Sequence, residues 1–102
     1  MALDEPFHRL SAEEIQREIV GKAVTDEAHW WDVFLPNGVL KLLEDGELTL
    51  AQWSLDDDAL CFTFPFRGRA ARECFEIWRS KELIDYRRDG IPILEGVLRE
   101  PR

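Results

Sequence analysis

Cys61 and Cys74 are the residues whose types and spacing most directly make chemistry in this chain. A turn at Phe66-Arg67-Gly68-Arg69 closes a hairpin with Pro65 opposite Ala70, and counting back along both strands brings Cys61 directly across from Cys74. Opposed residues of an antiparallel pair have Cα atoms about 4.5–5.5 Å apart, within reach of a disulfide. The register therefore predicts a Cys61–Cys74 bridge, with two buried thiols facing each other as the alternative. The same count places the pair at a hydrogen-bonded site of the ladder, the less common setting for such a bridge, and a one-residue bulge would change that phase.

Other reactive constellations do not assemble. The serines are Ser11, Ser54 and Ser80, the histidines His8 and His29, and no glycine elbow surrounds any serine. Neither Cys-x-x-Cys nor His-x-x-x-His spacing occurs, so no zinc site is expected. Asp56-Asp57-Asp58 lacks the alternating ligands, glycine and terminal Glu of a calcium loop, and reads as a solvated turn. Asp32 and Glu76 are mid-strand acids among aromatics, the pair to consider for carboxylate catalysis; both read as outward residues on a half-wet sheet. The expectation is a protein that is not an enzyme and needs no cofactor or metal.

Four tryptophans, Trp30, Trp31, Trp53 and Trp78, all fall on strand-like segments. Trp31 and Trp53 are assigned to the core, while Trp30 and Trp78 are candidates for an exposed contact surface. With Arg67, Arg69 and Arg72 of the adjoining hairpin they form the candidate binding residues.

The elements that must position these residues are set by turn signals about every ten residues from Pro36 onward. Before them, Ser11 and Glu14 form a capping box, Leu10 and Ile15 a hydrophobic staple, and Gly21 the end of a helix over residues 11–21. Strand-like segments follow at 22–26, 29–35, 39–44, 47–55, 60–66, 71–79, 81–87 and 91–99. In the second of these the odd residues Trp31, Val33 and Leu35 are uniformly apolar and are placed inward, because Asp32 is costly to bury unpaired. The apolar phase of 47–55 shifts near Leu50, which suggests a bulge. The fold expected is mainly β: an N-terminal α-helix plus a seven- or eight-stranded antiparallel meander, forming a strongly curved sheet or small barrel with the helix plugging one end. Residues 1–10 and 100–102 read as tails, and 11–99 as a single domain.

The formal net charge of −8 opposes binding to nucleic acid or to an anionic membrane surface. Residues 1–58 carry 14 acids against 4 bases, and residues 59–102 carry 7 acids against 9 bases. This uneven charge reads as ordinary solvated surface, with attraction between the halves, within the fold or between copies, as the alternative. No apolar run approaches the ~20 residues of a membrane-spanning helix. A disulfide implies an oxidising compartment, yet Met1-Ala2-Leu3-Asp4-Glu5 lacks the basic start and apolar core of a signal peptide. The chain reads as a mature periplasmic or secreted domain with an added Met, or as cytoplasmic if Met1 is native.

The capped helix ending in Gly21-Lys22, Trp31 with Phe34, Pro36-Asn37-Gly38, Trp53-Ser54, Leu60-Cys61 and Cys74 together resemble a group of small uncharacterised proteobacterial β domains, usually exported, with one helix and two cysteines. The chain departs from that pattern at Ala51-Gln52-Trp53 and Ala23-Val24-Thr25. The resemblance implies a periplasmic β domain and carries over no activity. The function expected is binding or structural, with a protein partner or a second copy of the chain as the target. The alternative is a lipocalin-like binder of a small apolar or sugar ligand.

Overall fold

Clean alternation of apolar and polar residues makes strands that present one face to a common interior. The computed structural model describes residues 6–66 and 69–101, and the side chains of all of these except 66, 69 and 70. Its elements are β1 (His8–Arg9), α1 (Ala12–Glu18), β2 (Ala23–Thr25), β3 (Trp30–Phe34), β4 (Val39–Glu44), β5 (Glu47–Asp56), β6 (Ala59–Phe66), β7 (Arg69–Ser80), β8 (Leu83–Arg88) and β9 (Ile91–Arg99). From β2 to β9 every strand pairs antiparallel with the next, and β9 returns to β2 through Val24 opposite Leu98. The meander is thus a closed eight-stranded barrel. Closure removes the two lateral edges of an open sheet.

Turn chemistry sets the register. Asp45-Gly46 and Asp89-Gly90 both have positive φ at each residue, as a two-residue type I′ turn demands. They leave Glu44 opposite Glu47 and Arg88 opposite Ile91.

The interior holds Leu10, Ile15, Ile19, Val24, Phe34, Leu40, Leu60, Phe62, Phe75, Ile77, Ile84 and Tyr86. Helix α1 starts in the capping box read from sequence: Ser11 Oγ accepts from Glu14 N–H at 3.2 Å, and Glu14 Oε1 accepts from Ser11 N–H at 2.9 Å. Its buried Ile15, with Leu10 and Ile19, closes the barrel end where β5 turns into β6. Asp58 of that turn accepts the Ala12 N–H, which ties the helix to it.

Four expectations need correction. Residues 8–9, read as tail, form β1 against Arg79 and Trp78 of β7, and Leu10 is fully buried; a two-residue strand has no periodicity to read. In β3 it is the even residues that face inward, because Tyr86 donates a hydrogen bond to Asp32 there and lowers the cost of burying it. The register of β4 with β5 is unbroken, so the phase shift near Leu50 is no bulge; Leu48 and Leu50 simply point outward, 54% and 56% exposed. The irregularity lies instead between Tyr86 and Arg87, where β8 meets Pro92 of β9. Finally, the β6–β7 ladder extends one pair further than counted, to Phe66 opposite Arg69. That shift inverts the hydrogen-bond phase. Cys61 and Cys74 are joined by a disulfide with Cα atoms 4.0 Å apart, the close spacing of a non-hydrogen-bonded pair.

Keeping that phase along β6, Thr63 and Pro65 turn their main-chain N and O toward β5. The β5–β6 pairing ends at Gln52 opposite Thr63, and beyond it the β4–β5 and β6–β7 hairpins diverge. Pro65, which has no N–H, therefore lies on the open side, where a missing donor costs no ladder bond.

Candidate functional site

At the barrel end opposite α1 the interior opens into a cleft of about 260 Å³ lined by Trp30, Asp32, Leu42, Glu44, Phe62, Phe64, Glu73, Phe75, Tyr86 and Leu94. Strand register builds it. Asp32 lies opposite Leu42 and Trp30 opposite Glu44, so β3 and β4 contribute alternate residues to one wall. Phe62 lies opposite Glu73 and Tyr86 opposite Leu94, which supplies the facing wall. Phe62 is the hub of the rings, with centroids 5.5 Å from Phe75, 5.7 Å from Tyr86 and 6.2 Å from Phe64. Such tilted and edge-on contacts at these separations are the favoured aromatic geometries. Trp30 completes the set at 6.4 Å from Tyr86. Its ring lies over Gly96, where a Cβ would come within 2.8 Å of Trp30 Cη2 and 2.9 Å of the Thr25 carbonyl oxygen. Glycine at 96 thus lets the indole sit down against β9.

One carboxyl lies at the floor of this apolar cleft. Asp32 is 6% exposed and its Oδ2 accepts the Tyr86 hydroxyl at 2.8 Å. Burial pushes its pKa up to about 6; the Tyr86 hydrogen bond opposes the rise and the charge of Glu44 adds to it. Burial, reinforced by Asp32, holds the Tyr86 phenol well above its ordinary value, so Tyr86 remains a donor at neutral pH. At the rim Glu73 accepts from Arg88 Nη2 at 3.2 Å, and the Arg88 guanidinium lies 4.5 Å from the Phe75 ring centroid.

A second polar cluster covers the outer face of β7 and β8. Arg87 donates twice to Asp85 Oδ2, at 2.9 and 2.7 Å, and its guanidinium lies 4.6 Å from the Trp78 ring centroid and 5.0 Å from that of Phe7. Asp85 Oδ1 is buried without a donor among the described residues. Glu95 lies directly opposite on β9, and its interaction with the Asp85 carboxyl, ahead of burial, raises its pKa.

The candidate residues are therefore dispersed. Trp30 lines the cleft, half-buried on the inner face, whereas Trp31 lies half-buried on the outer face: the two exchange the roles expected of them. Trp53 packs against the core as expected and donates its indole N–H to the Leu35 carbonyl at 2.7 Å. Trp78 lies under Arg87 on the outer face and donates to Glu76, so it shares no surface with Trp30. Arg72 is exposed and donates to Asp56 at 3.1 Å. Arg67 and the side chain of Arg69 lie outside the described residues. Asp32 and Glu76 face opposite sides of the sheet and do not form a carboxylate pair; Glu76 is held below its ordinary pKa, chiefly by the Trp78 hydrogen bond. Sequence reading missed Tyr86 and the inward Asp32. Parity held the signal: Tyr86 shares the face of Ile84, and Asp32 that of Trp30 and Phe34.

No protein-family model, curated protein or solved structure matches the chain. Among the described residues no helix is long and apolar enough to cross a membrane.

Proposed function

We propose that this protein is a non-catalytic, exported binding domain that takes a small, largely apolar ligand into the open end of its barrel. The observation that carries this reading is the aromatic cleft with one hydrogen-bonded carboxyl–phenol pair at its floor. Ligand sites typically pair a predominantly apolar lining with a few fixed polar groups that set orientation, and Asp32 and Tyr86 supply those groups. The cleft favours this reading over docking through Trp30 and Trp78, which face opposite sides of the sheet. The disulfide is compatible with an oxidising location and supports a periplasmic or secreted address.

The test is a ¹H–¹⁵N NMR titration with small soluble probes such as indole, toluene and cyclohexanol. Saturable shifts are expected at the Trp30 indole N–H and the amides of Asp32, Phe62 and Tyr86. Absence of a saturable shift there with every probe overturns the reading.

A protein partner is the second reading, and a different place favours it. Among the described residues β5 has no β6 partner beyond Gln52, and Leu48 and Leu50 stand exposed on that length of strand. Unpaired strand edges bearing apolar side chains invite pairing with another chain. Sedimentation equilibrium of the wild type and Leu50→Lys tests it: a concentration-dependent mass that the substitution abolishes supports association through this edge.

A further inference from the structure

The polar groups of the cleft all carry one sign. Apart from the neutral Tyr86, every ionisable side chain in its wall is a carboxyl, with Asp32 at the floor and Glu44 and Glu73 at the rim. The remaining wall is aromatic or leucine, and aromatic faces are the negative pole of the ring quadrupole. Acids and rings interleave by register, Glu44 opposite Trp30 and Glu73 opposite Phe62. The molecule already seats one cation in this setting: the guanidinium of Arg88 lies over the Phe75 ring while bonded to Glu73. An anionic ligand would meet Asp32 at the floor and Glu44 at the rim, while the rim's Glu73 is already paired with Arg88. A metal ion lacks its cage, since no group of three His, Cys, Asp or Glu among the described residues is placed to hold one.

We infer that the cleft selects an organic cation, an amine or quaternary ammonium group on a small apolar body, with its charge near Asp32, Glu44 and Glu73 and its body against Trp30, Phe62 and Phe75. This rests on the cleft being the ligand site. A cation held over aromatic faces gains from the quadrupole and is further stabilised where water is excluded. It also offsets the mutual repulsion of Asp32 and Glu44. The Tyr86 hydroxyl orients Asp32 and is a positioning group.

An isosteric pair separates charge from shape. Choline and 3,3-dimethylbutan-1-ol have nearly the same outline and differ by the cationic nitrogen. NMR titration at neutral pH and low salt is expected to give choline an affinity at least about ten-fold higher. That preference should fall in Glu44→Gln/Glu73→Gln, whose changes lie at the exposed rim, and in Asp32→Asn, which keeps an acceptor for Tyr86; the same spectra report that each variant is folded. Equal or tighter binding of the alcohol overturns the cation inference and leaves the ligand-binding reading standing. If neither compound binds while indole or toluene does, the cation inference alone fails. If none of the probes binds, both fail together.

Discussion

Asp32 concentrates the physical tension of the molecule. A carboxylate among Trp30, Phe62 and Phe75 loses hydration, and one phenol hydrogen bond only partly replaces it. Its folded pKa of about 6 stands above the unfolded value of about 3.9. Between those values the folded state binds more protons than the unfolded state, so stability falls as pH rises through the window and stays lower above it. Two units of difference correspond to roughly 3 kcal/mol. Asp32→Asn removes the charge and keeps the acceptor. Urea unfolding is expected to find the variant near wild type at about pH 4 and more stable than wild type by about 1–3 kcal/mol above pH 7. His29, whose pKa is raised chiefly by its hydrogen bond to Asp26, adds stability that is likewise lost as pH rises. The difference between the two proteins at each pH isolates Asp32, and parallel profiles would exclude the buried charge as its cause.

At the scale of the element, what was legible is what a single segment decides. The capping box of α1, the Asp-Gly turns, and the alternation of Leu60, Phe62 and Phe64 against Cys61 and Thr63 are local, and the fold follows them. The orientation of β3 was not legible. Its odd residues are the more apolar, but its even face is fixed by Tyr86, 54 residues away on β8. The cleft was hidden for the same reason, since its floor exists only once β3 and β8 share an interior. Leu48 and Leu50 misled in the opposite direction, because an apolar residue facing outward imitates a change of phase. Helix α1 tests the local half of the account. Its seven residues cannot persist alone in water, so its packing must hold it. Ile15, fully buried at the plugged end, should cost about 2–5 kcal/mol as alanine, and Ser11→Ala about 1 kcal/mol through the lost cap. A loss below about 1 kcal/mol for Ile15→Ala in urea unfolding would mean that the helix does not seal the barrel.

At the scale of the whole molecule, the acidic first half and basic second half attract within the fold. Arg79 bonds Glu18 at 2.8 Å, Arg72 bonds Asp56 at 3.1 Å and Arg99 bonds Glu27 at 2.9 Å, each pair joining the two halves. Solvent-accessible pairs of this kind contribute little individually, so cohesion falls to the interior and to closure of the barrel. The Cys61–Cys74 bridge adds to that without creating it. It joins β6 and β7 at a sequence separation of 13, on the hairpin whose far end diverges from β5. Constraining a loop of that length in the unfolded chain stabilises by about 3 kcal/mol. Because the core and the strand ladders do not depend on the bridge, Cys61→Ser/Cys74→Ser should fold to the same barrel in the absence of urea and lose about 2–4 kcal/mol in its unfolding free energy. Far-ultraviolet circular dichroism with and without reductant gives the same comparison on the wild type. A variant that is unfolded without urea would reverse the order of causes and make the bridge, rather than closure of the barrel, the source of the fold.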